Sequence, residues 1–248
     1  MHDIIRSVDF YHDEYEQFQR DVYLLIEGTL NASKKFLGDE CETELTKIKT
    51  VMDKTHDAEH HSYLEDDYGD VLLTNISQER FLRNMALVAL ASRLTHALRN
   101  MSKSAESFSP RTDEHKKRYK KTHLSEFQRL WLEYRERFGI DFVVHKDRIA
   151  FVDVMNDVRN QIVHEGAEAE TFKFLYEFDA NDANPQYMDT SFADKYPDYV
   201  SEDGSEVNVS EQQLKDAIDA SVKLVAWLAS ELRTKELAHI KAAGMAPQ

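Results

Sequence analysis

Residues 157 to 166, "DVRNQIVHEG", bring an arginine, an asparagine and a histidine to one end of a segment with a helical apolar pattern. A histidine side chain can give or take a proton close to neutral pH. An arginine offers a planar fork of donors to phosphoryl oxygens as negative charge builds on them. An amide between them can orient either the phosphate or the imidazole. Such a set can move protons and stabilise developing negative charge in a reaction at a phosphoryl group.

The spacing has a geometric consequence. Asn156, Asn160 and His164 recur every four residues and share one helix face beside the apolar stripe. Arg159 and His164 are five residues apart, roughly 140° around an ideal helix. In one straight helix they diverge. They converge if the helix ends near Val163, or if a symmetric partner brings its own pair across an interface.

Arg159, four intervening residues and His164, with Asn160 directly after the arginine, match the Arg-x4–6-His motif and its common Arg-Asn elaboration. The bare spacing recurs at Arg118–His123 and Arg233–His239, so spacing alone says little. The match at 159 has the adjacent Asn, a preceding amphipathic helix and Gly166 two residues after the histidine. In these features the chain resembles the HEPN superfamily, helical-bundle domains found in many prokaryotic ribonuclease toxins and phage-defence proteins. The resemblance covers roughly residues 75 to 235. It implies a metal-independent endoribonuclease acting as a homodimer, with Arg159, Asn160 and His164 as catalytic residues, RNA as substrate and no cofactor. The alternative is a non-catalytic scaffold of the same type, holding a protein or nucleotidyltransferase partner. An antitoxin partner belongs to the first case.

The net charge of −15 repels phosphate backbones, so RNA contact requires a local basic patch. "RTDEHKKRYKKTH", residues 111 to 123, supplies one. Lys116, Lys117, Arg118, Lys120 and Lys121 are the candidate substrate-binding residues, with Arg111 at the head of the segment. A solvated helix face is the ordinary meaning of such a run.

Other groupings carry less. Glu59, His60, His61, Glu65 and Asp66 gather in "EHHSYLEDD", where His61 and Glu65 have the four-residue spacing of helical metal ligands. No second ligand set accompanies them, so this reads as a solvated acidic face and no metal is expected. "HEG" at 164 to 166 begins like a zinc-protease motif, but position 168 is Glu168, not histidine. Cys41 has no catalytic signature around it. There is no Gly-rich phosphate loop and no nucleophile elbow.

The elements that must position the motif are helices. Only 7 Gly and 4 Pro occur in 248 residues, too few for a meander of short strands. A first helix runs from about Phe10 to Leu37 and stops at Gly38. A second lies around Cys41 to Leu64 and is broken by Gly69. A third, capped by Asn75 and Gln78, buries Phe81, Met85, Val88, Ala91, Leu94, Leu98 and Met101 and ends over Ser107 to Pro110. The basic segment runs into a helix stopped by Gly139. Asp147 caps the motif helix, which buries Phe151, Val154, Met155, Val158 and Ile162. "TFKFLYEF" alternates as a strand does, residues 179 to 208 read as a long loop, and "EDGSEVNV" resembles a hairpin turn. Ser210 and Gln213 cap a final helix with the stripe Leu214, Ile218, Val222, Val225, Ala229 and Leu232. The expected fold is all-α, an antiparallel helical bundle with at most a small β-hairpin insertion. It divides into an N-terminal helical extension, 1–70, and a helical bundle domain, 71–240.

One cysteine cannot form an internal disulfide, and "MHDIIRSVDFYHDEYEQ" lacks a basic region followed by an apolar one. The longest uninterrupted apolar run, Met85 to Ala91, is far short of the roughly 20 residues of a spanning helix. A cytoplasmic protein without membrane partners is the expectation.

Overall fold

Asp57 starts the longest element of the molecule. Its carboxylate accepts from the backbone N–H of Glu59 at 2.9 Å and of His60 at 3.3 Å, satisfying donors that a helix start leaves open. From there α3, Ala58–Ser104, runs for 47 residues, roughly 70 Å. The computed structural model describes residues 2–55, 57–119, 125–143, 146–164, 172–175, 187–202 and 204–244.

Ahead of α3, α1 (His2–Arg20), a π-helical segment (Asp21–Glu27) and α2 (Gly28–Met52) follow one another without a break. A 3-10 turn, Ala105–Ser107, ends α3. The short α4 (Asp113–Tyr119), α5 (Glu126–Phe138) and α6 (Lys146–His164) come next. Strands β1 (Phe172–Leu175) and β2 (Tyr187–Thr190) pair antiparallel, with Phe172 opposite Thr190 and Leu175 opposite Tyr187. A single turn, α7 (Phe192–Lys195), and a 3-10 turn, Pro197–Tyr199, lead to α8 (Glu211–Ala242). Among the described residues the fold is a helical bundle with one two-stranded antiparallel pair, and its helical class is what the sparse glycine and proline content predicts.

Side-chain pairs fix the directions of the long helices. Arg93 reaches Asp21 and Glu14, and Asn100 reaches Glu14, so α1 and α3 are antiparallel. Lys34 pairs with Glu211, while His12 and Tyr15 line a cavity with Ala229 and Arg233, so α1 opposes α8 too. Asn84 holds residues 207 to 209, donating to the Val207 carbonyl at 2.9 Å and accepting from the Val209 N–H at 3.1 Å. Ser107 meets Glu236 at 3.1 Å, so α3 and α8 run the same way. The core between them holds Tyr11, Phe18 and Val22 of the N-terminal helices, Leu87 to Met101 of α3, Phe127 and Tyr134 of α5, Met155 and Val158 of α6, and Leu214 to Leu232 of α8.

Several sequence expectations are met at the element ends. Ser210 and Gln213 form a reciprocal capping box. Gly139 sits at φ 58° and closes α5 in the left-handed conformation that glycine adopts at least cost. Val200 and Val207 form an antiparallel bridge, and the Ser201 carbonyl accepts from the Gly204 N–H at 2.8 Å.

Others are corrected. Gly38 and Gly69 stop nothing: both lie inside helices, because a lone glycine costs only about 1 kcal/mol and the helix continues on both sides of it. Asn75 and Gln78 are interior to α3 and cap nothing, and Asp147 lies inside the first turn of α6. The buried stripe of α3 begins at Asn84, leaving Phe81 and Met85 outside it, 63% and 42% exposed. The boundary at residue 70 falls in mid-helix, and Tyr11, Phe18 and Val22 share the common core, so the N-terminal helix is built into the bundle.

The two helices between residues 31 and 83 form an arm with a different character. No residue described there is fully buried. Two helices alone offer a single seam, whereas the bundle closes α3 between α1, α5, α6 and α8.

Candidate functional site

The site is built on α6. Val152, Met155 and Val158 are buried and seat one side of the helix against the core, which turns the opposite side outward. Arg159 is half-buried, and its Nη1 donates to Asn160 Oδ1 at 2.8 Å. Asn156 is buried, and His164, the last residue of the helix, is exposed. Because α6 is helical through His164, the divergence of roughly 140° between Arg159 and His164 persists within one chain. The structure joins Arg159 to Asn160 and does not bring either onto His164.

Two carboxylates that sequence reading overlooked lie on the same side. Asp153, Asp157, Asn160 and His164 are spaced at intervals of four, three and four, within roughly 60° of one another around the helix. That period was present in the sequence, and it is the signal that could have found them. Asp157 Oδ2 accepts from the Tyr196 hydroxyl at 2.6 Å and from Lys195 Nζ at 3.3 Å. Trp131 Nε1–H donates to Asp153 Oδ1 at 3.1 Å.

The electrostatics separate these two acids. Burial, together with the charge of Asp157, pushes the Asp153 carboxyl up to about 7, against the lowering influence of the Trp131 hydrogen bond and Lys195. Burial and the adjacent Asp157 also push the Tyr196 phenol well above its ordinary value. Asp153 thus holds its proton up to about pH 7, and Asp157 is paired with a cation and a hydroxyl.

The basic segment divides. Arg111 is a structural residue: its Nε and Nη2 grip the Glu133 carboxylate at 2.7 and 3.1 Å. Arg137 and the Ser102 hydroxyl complete that buried cluster. Burial pushes the Glu133 carboxyl up, but hydrogen bonds from Arg111 and Ser102 and the two guanidinium charges outweigh it and hold it below the usual range. Arg111 thus ties the end of α3 to α5 and is withdrawn from any basic patch. Lys116 is exposed and 3.3 Å from Asp113, and Lys117 is exposed on α4. The side chain of Arg118, and residues Lys120 and Lys121, lie outside the described residues.

The remaining sequence candidates are surface features. His61, half-buried, and Glu65, exposed, are helical neighbours at 3.6 Å, and among the described residues no three His, Cys, Asp or Glu side chains are gathered as ligands. Cys41 is a half-buried thiol on α2. Among the described residues, no helix is long and apolar enough to cross a membrane.

The polar end of α6 therefore combines a guanidinium oriented by an amide, an exposed imidazole and two carboxyl groups, one bonded to Trp131 and the other to Tyr196 and Lys195. No family model matches this chain, and neither the curated proteins nor the solved structures include a match to it.

Proposed function

We propose that the protein is a metal-independent endoribonuclease of the HEPN type that acts as a homodimer, a toxin or defence effector in which Arg159, Asn160 and His164 perform the cleavage. The observation that carries this reading is the disposition of the motif: an exposed His164 terminates α6, and Arg159 is held by Asn160 one turn before it. An imidazole takes the proton of the RNA 2′-hydroxyl as the 2′-oxygen attacks the adjacent phosphorus. The bond to the 5′-oxygen breaks, that oxygen receives a proton, and the products are a 2′,3′-cyclic phosphate and a 5′-hydroxyl. Arg159 stabilises the charge on the phosphoryl oxygens.

One histidine per chain supplies both base and acid when a two-fold axis places the His164 ends of two α6 helices together. The same arrangement supplies the convergence of Arg159 and His164 that a single helix denies. Lys116, Lys117, Arg118, Lys120 and Lys121 attract the RNA backbone against the acidic balance of the chain. The test is RNA cleavage by the wild type and by His164→Ala, with light scattering to give the oligomeric state. Proton transfer by a placed side chain contributes ~10²–10⁴-fold, so His164→Ala should lose activity on that scale. Cleavage abolished by EDTA, unaffected by His164→Ala, or carried out by a monomer would refute the assignment.

A second reading has its own observation. Within one chain Arg159 and His164 point apart, which is compatible with a non-catalytic helical scaffold that binds a protein or nucleotidyltransferase partner. That reading predicts no cleavage by the wild type under any condition.

A further inference from the structure

The arm formed by α2 and the first half of α3 carries an apolar groove of about 980 Å³, walled by Phe36 and Leu37 on one side and Leu73, Phe81 and Leu82 on the other, with Asp70 at its edge. Phe36, Leu73 and Phe81 are 61%, 63% and 63% exposed. Leu73, Ser77, Phe81 and Met85 recur every four residues and form one row along α3, roughly 18 Å or three helical turns long. A row of this kind is written for burial, and the chain's own core begins only at Asn84. A contiguous exposed apolar surface rimmed by polar groups marks an interaction site.

The charges around the groove identify what fits it. Residues 28 to 82 hold twelve Asp and Glu against six Lys and Arg. The two cations nearest the base of the groove face the bundle, Lys34 in a pair with Glu211 and Arg80 in a pair with Glu206. Asp70 lines the groove; Asp39 and Glu40 follow Phe36, and Asp66 and Asp67 precede Asp70, by three or four residues on their helices, all of them exposed, with Lys35 as the counterweight. A second copy of this chain brings the same acidic excess, and a phosphate backbone is repelled by it. We propose that the groove docks a basic amphipathic helix of a partner protein. Three turns of such a helix lay apolar anchors at positions i, i+4 and i+7 between Phe36 and Phe81, and its lysines or arginines meet the carboxylates at the rim. The site is separate from the polar end of α6 and does not depend on the ribonuclease reading.

The test uses the whole chain and a fluorescein-labelled model peptide of 15 residues, with leucines at helical i, i+3, i+4 and i+7 spacing and lysines elsewhere. Two further peptides replace every lysine by glutamate or scramble the leucine spacing. Fluorescence anisotropy should show saturable binding of the leucine–lysine peptide that weakens with salt, with each of the other peptides at least tenfold weaker. Phe36→Ser and Phe81→Ser, whose side chains are mostly exposed, should each weaken binding tenfold or more while keeping the wild-type circular dichroism. Val143→Ser, at an exposed apolar residue outside the groove, should bind as the wild type does. Equal binding by Phe81→Ser and wild type, or equal binding of the lysine and glutamate peptides, would overturn the proposal. A wild-type dimer that Phe81→Ser dissociates would assign the groove to a second copy and overturn it as well.

Discussion

Asp153→Asn isolates the energetic cost of placing a carboxyl under the bundle's polar edge. Asn retains an oxygen for the Trp131 N–H, which lies 3.1 Å from Asp153 Oδ1, and removes the charge. The folded chain holds the Asp153 proton up to about 7, whereas the ordinary value is 3.8. Between those two pH values the folded state binds the proton and the unfolded state has released it. Stability from this group is thus fully present below pH 3.8 and is lost as pH rises through about 7. At about 1.4 kcal/mol per pH unit the loss is at most about 4.5 kcal/mol, a ceiling because the residue is not wholly buried. Urea unfolding followed by circular dichroism, at pH values from 4 to 8, gives the difference in stability between variant and wild type. That difference should be near zero at pH 4 and should grow in favour of Asp153→Asn by roughly 2–4 kcal/mol at pH 8. Carboxylates remote from residue 153 are common to both proteins and cancel in the difference. A difference that stays constant across this range would refute the assignment of a raised Asp153, whatever its size.

Gly38 and Gly69 are interior helical positions where an added Cβ meets nothing within 4 Å. Gly38→Ala and Gly69→Ala should each stabilise the arm by about 0.5–1 kcal/mol, read as slower amide hydrogen exchange in residues 31 to 83; faster exchange would contradict this. Asn84→Ala strips both hydrogen bonds from the Val207 carbonyl and the Val209 N–H in a buried position, and should cost about 2–3 kcal/mol in urea unfolding. A cost below 0.5 kcal/mol would show that residues 207 to 209 are held by other means. Lys116→Gln with Lys117→Gln should weaken RNA binding and reduce the slope of log affinity against log salt by roughly 1–2, since each lost phosphate contact contributes about 0.9. An unchanged slope would leave α4 as a solvated face.

The sequence determined the helical class and the ends at Gly139 and Ser210. Apolar residues at helical spacing on the second half of α3, on α6 and on α8 fall in the core where the period places them, and Gly139, Ser210 and Gln213 act as local chemistry requires. These signals are local: a cap or a left-handed stop is set by residues within one turn. It also brought Arg159, Asn160 and His164 into one helical end, because five residues cannot leave that helix.

Tertiary structure decided what periodicity cannot express. Leu73, Phe81 and Met85 have the same apolar pattern as Leu94 and Leu98, yet only the latter are buried, because α5, α6 and α8 cover one half of α3 and not the other. A pattern states which face is apolar and says nothing of whether a partner arrives. Likewise Arg111 reads as one more charge in a basic run, and becomes a buried-edge clamp only because Glu133, 22 residues away, is carried to it on α5. Asp153 has an ordinary side chain in the sequence, and it is the fold around it, not its neighbours in the chain, that removes water and raises its affinity for a proton. Burial and charge pairing are properties of contacts between distant segments, so they enter only when the helices have packed.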